Sequence, residues 1–136
     1  MLANPVCNED DIVALVHNFY RKVLADPALG PVFNAAIPAE DWPAHLNKMV
    51  DFWSSLLRGT ARYSGTPMPK HIALPNLEPA LFKRWLELFA ETTAELDNPP
   101  MQQRANTMAQ RIARSLWMGY QMHNHPDRIP ADLTAA

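Results

Sequence analysis

Apolar residues recur at helical spacing in four long stretches of the chain that contain few prolines. The first stretch covers 6–26 and opens with Asn8 followed by three acidic residues, a composition that favours a helix N-terminus. Its apolar stripe is formed by Ile12, Leu15, Val16, Phe19 and Val23. The pattern predicts one helix, or two short helices joined without a loop.

Three further amphipathic helices are predicted downstream. One begins near 39–43, where Pro43 suits a first helical turn, and ends near Arg58-Gly59. The other two begin after Pro79 and near Met101. The three apolar stripes are Leu46, Met49, Val50, Trp53, Leu56 and Leu57; Phe82, Trp85, Leu86 and Phe89; and Ala105, Met108, Ala109, Ile112, Leu116, Trp117 and Tyr120. No stretch alternates apolar and polar residues as a strand would, so an all-α fold is predicted.

Length and proline positions predict a single domain. The 136 residues are enough for one hydrophobic core, and the thirteen prolines mark the breaks between helical stretches. We expect an N-terminal extension at 1–8, the folded domain at 9–125 and a flexible C-terminal tail at 126–136, where the helical periodicity is lost.

Charge and cysteine content argue against several classes of function. A net charge of -2 provides no basic surface for nucleic acid. Cys7 is the only cysteine, so the chain has no intramolecular disulfide, no cysteine zinc site and no Cys-x-x-Cys-His motif for covalent cofactor attachment. The start of the chain lacks the features of a signal peptide, and no run of about eighteen apolar residues occurs. These features predict a cytoplasmic protein without a membrane partner.

His71 lies at 67–75 in the segment PMPKHIALP, which is too rich in proline to form an ordinary core helix. A short helix between such breaks can direct a ring nitrogen towards a cofactor. A pentacoordinate haem requires one neutral imidazole on iron, an apolar slot for the porphyrin and a distal side of controlled polarity. His71 is therefore the candidate iron ligand, and the alternative is a surface histidine in a loop.

Two polar side chains are candidates for the distal side of such a pocket. His45 lies in the first turns of the second long helix, next to its apolar stripe, where a gate at the pocket rim is expected. The alternative is a partly exposed surface histidine. Tyr20 follows Phe19 on a core-facing arc, so its hydroxyl must find a partner in apolar surroundings. That partner is either a bound ligand or a backbone carbonyl.

Aromatic residues on other elements are candidates for the pocket walls. Phe33 follows a Gly-Pro pair at 30–31, a predicted turn that would bring its ring flat against a cofactor face. Trp85 carries an indole N–H that can point into the pocket. Both residues are equally compatible with an ordinary core. Phe52 and Trp53 are adjacent and cannot face the same way on a helix, and Trp53 follows the apolar stripe, so Phe52 is expected nearer the pocket rim.

Blocks that contain these residues occur in a fixed order along 9–121. They are Phe19-Tyr20, Leu29-Gly30-Pro31-Val32-Phe33, the WPAH segment at 42–45, Phe52-Trp53, Tyr63-x-Gly65-x-Pro67-Met68-x-x-His71 and Phe82-x-x-Trp85. Together they resemble the truncated haemoglobins of the third group, which need no paired glycines at helix ends. The resemblance implies a truncated globin domain, a two-over-two helical sandwich around a haem.

The resemblance also implies roles at the iron. His71 would be the proximal ligand of haem b, Tyr20 and Trp85 would be distal hydrogen-bond donors, and His45 would be the distal gate. Tyr20, His45 and Trp85 are thus the residues expected to act on a bound ligand.

Further residues are implied to contact the haem, in addition to His71 and Trp85. They are Phe33, Lys48, Met49, Phe52, Tyr63 and Met68. Phe33 would stack on the porphyrin, and Lys48 would reach a propionate, a role for which Arg58, Arg62 and Lys70 are alternatives. Met49 replaces the branched aliphatic residue usual in the family, so the resemblance does not determine the width of the distal pocket.

Three functions are hypotheses at this point. The first is a haem protein for oxygen binding or transport, which takes O2, CO or NO and depends on an unidentified reductase. The second is an enzyme that consumes peroxide or nitric oxide in the same pocket, with His45 as a proton shuttle. The third is a cofactor-free helical interaction module, in which the Met and Trp residues form core or contact surface.

Overall fold

The computed structural model describes residues 6–61, 63 and 77–133. These ranges contain five α-helices: α1 (Glu9–Ala25), α2 (Leu29–Ala36), α3 (Trp42–Arg58), α4 (Pro79–Ala94) and α5 (Pro99–Asn124). A 3-10 turn at Ala39–Asp41 leads into α3. No strand occurs within the described ranges, and the all-α prediction is confirmed.

The first apolar stretch forms one continuous helix, α1. A capping box begins it, in which the Asp11 amide donates to Asn8 Oδ1 at 2.9 Å and the Asn8 amide donates to Asp11 Oδ2 at 3.0 Å. The predicted stripe is buried along its whole length. Since α1 packs against α2, α3 and α4, it is the central helix of the fold.

The corner between α1 and α2 is organised by the buried side chain of Asp26. Its Oδ2 accepts hydrogen bonds from the amides of Ala28 and Leu29, both at 3.0 Å, at the start of α2. Its Oδ1 accepts a hydrogen bond from Arg84 Nε on α4 at 2.7 Å. One carboxylate therefore links three helices through charge-assisted hydrogen bonds.

The Gly-Pro pair at 30–31 lies in the first turn of α2, so the prediction of a turn ahead of Phe33 was wrong. Proline is well suited to a first helical turn, and Asp26 supplies the cap from upstream of the pair. Glycine is needed at position 30 because a Cβ there would lie 2.6 Å from the carbonyl oxygen of Leu24. The close approach of α1 and α2 thus requires this residue.

The Asp26→Asn substitution is expected to lower the free energy of unfolding by about 2 kcal/mol near neutral pH, because it weakens charge-assisted hydrogen bonds. Burial alone raises the pKa of Asp26, but hydrogen bonds from Arg84, Leu29 and Ala28 outweigh it and the net pKa is lowered. The stabilisation is present above the unfolded pKa of about 3.9 and is lost as the pH falls through the lower folded value. Urea unfolding of both proteins between about pH 7 and pH 3 measures the difference.

The exposed Asp127 supplies the control for this experiment. Asp127→Asn should change the free energy of unfolding by no more than about 0.5 kcal/mol at any of these pH values. A deficit of Asp26→Asn that stays constant as the solution is acidified would contradict the role given to the Asp26 charge.

Aromatic side chains from three helices form the centre of the core. Phe19 of α1 contacts Phe89 of α4 edge-on, with ring centroids 5.1 Å apart, and Trp53 of α3 stacks on Phe89 at 4.8 Å. Trp53 is 3% exposed and Phe52 is half-buried, which confirms that Trp53 follows the apolar stripe. These contacts fix α1, α3 and α4 relative to one another.

The C-terminal end of α3 is joined to the start of α1. The helix ends at Gly59, whose φ of 70° is the left-handed conformation that glycine adopts readily. Just before it, the Arg58 guanidinium pairs with Glu9 and donates to the Cys7 carbonyl oxygen at 3.3 Å. Ser54 Oγ donates to the same Glu9 carboxylate at 3.1 Å. Arg58 is therefore engaged in holding two helices together.

Residues after α5 fold back on that helix. Gln121 exchanges two hydrogen bonds with the backbone of Ala131, each 2.9 Å long, and Leu133 is buried. The domain boundaries and the flexibility of 126–136 stay predictions. No helix in the described part of the chain has the length and apolar character needed to cross a membrane.

Candidate functional site

Tyr20 is the centre of an aromatic group built from α1, α2 and α3. Its ring is 6% exposed. Ring centroids of Phe33, Trp42 and His45 lie 6.0, 5.8 and 5.4 Å from that of Tyr20. The neighbouring Phe19 lies 5.1 Å away and connects the group to the core. The structure thus brings together three predicted site residues, Tyr20, Phe33 and His45.

The Tyr20 hydroxyl is a neutral hydrogen-bond donor in an apolar place. Burial raises the pKa of Tyr20 well above its usual value, so the proton stays on oxygen across the physiological range. Because buried hydroxyls are normally paired, the site suits a polar ligand atom next to Tyr20.

His45 lies on α3 with its ring against two aromatic rings. Its imidazole meets Tyr20 edge-on at 5.4 Å and Trp42 edge-on at 5.2 Å. The residue is half-buried, and its Nε2 atom is covered. His45 is therefore placed beside the Tyr20 side chain, at the edge of the aromatic group.

The predicted wall residues are half-buried and pack against the main core. They are Phe33 of α2, Met49 and Phe52 of α3, and Trp85 of α4. Trp85 lies between Phe19 and Phe89, with ring centroids at 5.2 and 5.5 Å. Phe19 in turn contacts Tyr20, so it links the Trp85 ring to the Tyr20 group.

Tyr63, beyond the end of α3, packs against one of these residues. Its ring lies 5.0 Å from that of Phe52, and its amide donates to Ser55 Oγ at 3.0 Å. Half-buried apolar side chains on three helices, together with a neutral tyrosine and a histidine, are the residue types that a haem requires: apolar groups for its faces and a few polar groups at the distal side.

Two predicted site residues, His71 and Met68, lie outside the described residues. The nearest described residue that follows His71 is Leu77, whose amide donates to the Tyr120 hydroxyl at 3.1 Å. This hydrogen bond attaches the residues just before α4 to α5.

The candidates for a haem propionate differ in their surroundings. Lys48 is exposed on α3, within one turn of His45. The Arg58 guanidinium forms a salt bridge with Glu9, so its charge is already paired within the protein. Arg62 and Lys70 lie outside the described residues. Of the two described candidates, Lys48 is the exposed one.

Sequence reasoning missed the part played by Trp42, which it treated as part of a helix start. Trp42 begins α3 and contacts both Tyr20 and His45. The available signal was its position three residues before His45, since residues at this spacing are neighbours on a helix. A cleft of about 260 Å³ opens beside it, lined by His17, Tyr20, Arg21, Leu24, Trp42 and Leu46.

Comparison with known proteins identifies the family of the chain. The model of the family described as bacterial-like globin matches residues 4–117. The chain belongs to this family, and it is accordingly a haem globin.

Two relatives define the subgroup. A group 3 truncated hemoglobin of Campylobacter jejuni is 39% identical over 108 residues, which cover 78% of this chain and 85% of that protein. The crystal structure of a group III truncated hemoglobin from Campylobacter jejuni matches with a TM-score of 0.75 and 38% identity, covering 81% of this chain and 88% of the other. The chain is thus a truncated haemoglobin of the third group, as the sequence blocks predicted.

Proposed function

We propose that this protein binds haem b and takes dioxygen, CO or NO as a diatomic ligand in a polar distal pocket. The haem, when bound, supplies the iron that holds the ligand, and His71 is the proposed proximal residue. The observation that carries the proposal is the neutral hydroxyl of the buried Tyr20, whose ring lies beside that of His45.

Tyr20 is the proposed donor to the ligand. A buried hydroxyl that donates to a partly negative ligand atom contributes about 1.5–3 kcal/mol, or roughly ten- to hundredfold in affinity. The ring contacts with Phe19, Phe33 and His45 hold the side chain in place, so little conformational freedom is lost when the hydrogen bond forms.

The other residues are proposed to form and close the pocket. Phe33, Met49, Phe52 and Tyr63 supply apolar contacts that exclude water. Met68 is proposed as a further haem contact, and Trp85 as a second distal donor. Lys48 is proposed to pair with a propionate. His45 acts as the gate, since it lies at the edge of the aromatic group next to Tyr20. A cytoplasmic location and a separate reductase belong to the same proposal.

The visible absorption spectrum of the haem-supplemented protein tests the proposal. We expect a Soret band in the ferric protein, a shift on reduction with dithionite and a further sharp shift with CO. Absence of a Soret band would contradict the proposal of haem binding. A reduced spectrum that CO leaves unchanged would contradict the proposal of ligand binding at the iron.

A second candidate function is consumption of peroxide or nitric oxide in the same pocket. It is favoured by the His45 imidazole, because a group next to a buried hydroxyl donor can carry a proton to or from a reacting ligand. A positioned acid or base contributes typically 10²–10⁴-fold in rate, so His45→Leu is expected to lower peroxide turnover by roughly a hundredfold. Steady-state peroxide consumption by both proteins measures this.

The exposed His123 provides the control for turnover. His123→Leu should retain the activity of the unchanged protein, because its side chain lies at the end of α5, away from Tyr20. Equal turnover by wild type and His45→Leu would exclude His45 from proton transfer, and no turnover by either would exclude the peroxidase function.

A further inference from the structure

We propose that Trp42 is a positioning residue that holds His45 in its closed orientation, and that the adjacent cleft receives the Trp42 indole when the gate opens. The inference rests on the proposed role of His45 as the gate. It adds a residue to that gate and specifies the movement that opens it.

The rings of Tyr20, Trp42 and His45 contact one another pairwise. The His45 imidazole lies edge-on to Tyr20 at 5.4 Å with an interplanar angle of 84°, and edge-on to Trp42 at 5.2 Å with an angle of 88°. Trp42 and Tyr20 are 5.8 Å apart. The imidazole is therefore held between two aromatic rings, and edge-on arrangements are the favourable ones for such rings.

The position of Trp42 on α3 makes it a stable support. It is the first residue of the helix, three residues before His45, so both side chains project from the same side of α3. Pro43 follows directly and fixes the backbone of the first turn. Trp42 also packs against the main core while staying half-buried. An imidazole that rotates away from Tyr20 on this side meets the indole.

The cleft beside Trp42 provides the space for a movement of that indole. Its volume of about 260 Å³ is bounded by Trp42 and Leu46 on α3 and by Tyr20 and Leu24 on α1. These lining groups are largely apolar, and the exposed His17 and Arg21 complete the lining. An indole that turns into this space keeps apolar contacts, which lowers the free-energy cost of releasing His45.

A double-mutant cycle on CO association tests the inference. Trp42→Ala removes two aromatic contacts, so the association rate of CO after flash photolysis of the haem-loaded protein is expected to rise roughly two- to tenfold. In a His45→Leu background the same substitution should leave the rate unchanged, because there is no imidazole to hold. Trp42→Phe keeps one ring and should give a smaller increase.

A substitution that fills the cleft should have the opposite effect on the rate, because it blocks the proposed movement of the indole. Leu24 lines the cleft on α1, and Leu24→Phe leaves the three contacting rings in place. This substitution should slow CO association at least twofold, and the slowing should disappear in the His45→Leu background. If Trp42→Ala fails to fold, Trp42→Phe and Leu24→Phe give the same test.

A spectroscopic signal separates positioning from a general structural effect. In the diamagnetic CO complex, the ring current of Trp42 displaces the proton resonances of the His45 imidazole from their ordinary positions. Trp42→Phe and Trp42→Ala should shift these resonances progressively, while those of His123 at the exposed end of α5 stay in place.

Three results would overturn the inference. One is equal acceleration by Trp42→Ala with and without His45, which would make Trp42 a purely structural residue. Another is an unchanged rate in Trp42→Ala itself. The third is an unchanged rate in His45→Leu alone, which would show that His45 is not the gate and that Trp42 has no gate to support. In that case a normal CO spectrum would still support the proposed gas binding. Loss of that spectrum in wild type would instead overturn the proposed function.

Discussion

Replacing Tyr20 with Phe is expected to speed dioxygen dissociation roughly ten- to hundredfold, since it removes the neutral hydroxyl donor proposed to bind the ligand beside His45. The substitution keeps the aromatic ring and its contacts with Phe19 and Phe33, so the pocket retains its shape. Stopped-flow displacement of dioxygen from the reduced protein measures the rate.

Carbon monoxide supplies an internal control for the Tyr20→Phe experiment. Bound CO carries less negative charge than bound dioxygen and gains less from a hydrogen bond, so its dissociation should change by no more than about threefold. Equal acceleration for both gases would indicate a change in pocket shape. An unchanged dioxygen rate would remove Tyr20 as the ligand donor.

Replacing His71 with Gly is expected to weaken haem retention at least about a hundredfold, because loss of a residue that merely orients a metal ligand already costs roughly 10–100-fold. The Soret band of the ferric protein should weaken or shift, and haem should transfer faster to an acceptor such as apomyoglobin. Absorption spectra and the rate of haem transfer measure the two effects.

Added imidazole and a second histidine variant serve as controls for His71→Gly. Imidazole fills the space left by the side chain and should restore a histidine-like spectrum. His123→Gly, at the exposed end of α5, should retain the wild-type spectrum and transfer rate. A wild-type spectrum in His71→Gly without added imidazole would assign the proximal role to another residue.

The helices of this protein were predictable because helical periodicity is a local property. Asn8 with its acidic neighbours predicted the start of α1, and Pro43 with Arg58-Gly59 predicted the limits of α3, since caps and prolines act within one turn. The error at the start of α2 has a tertiary cause. The cap of that helix is Asp26, whose carboxylate is held in place by Arg84 from a distant helix.

The candidate site was predictable only as a set of residue types. Tyr20 and His45 were identified because a hydroxyl on a core-facing arc and an imidazole beside an apolar stripe are unusual. Neither observation placed the two rings 5.4 Å apart, since that distance depends on how α1 and α3 cross. Trp42 could be recognised only through its spacing of three residues from His45, because a tryptophan at a helix start is also an ordinary core residue.

The sequence by itself determined the all-α class, the long helices and, through its ordered blocks, the globin family. These follow from spacing along the chain, where neighbouring residues decide the outcome. Only the tertiary structure decided that Tyr20, Trp42 and His45 form one group of contacting rings, and that Arg58 is engaged by Glu9 while Lys48 stays exposed. The contacts of Tyr20 with Trp42 and His45, and of Arg58 with Glu9, join residues on different helices, so they are fixed by the packing of those helices and not by the local pattern.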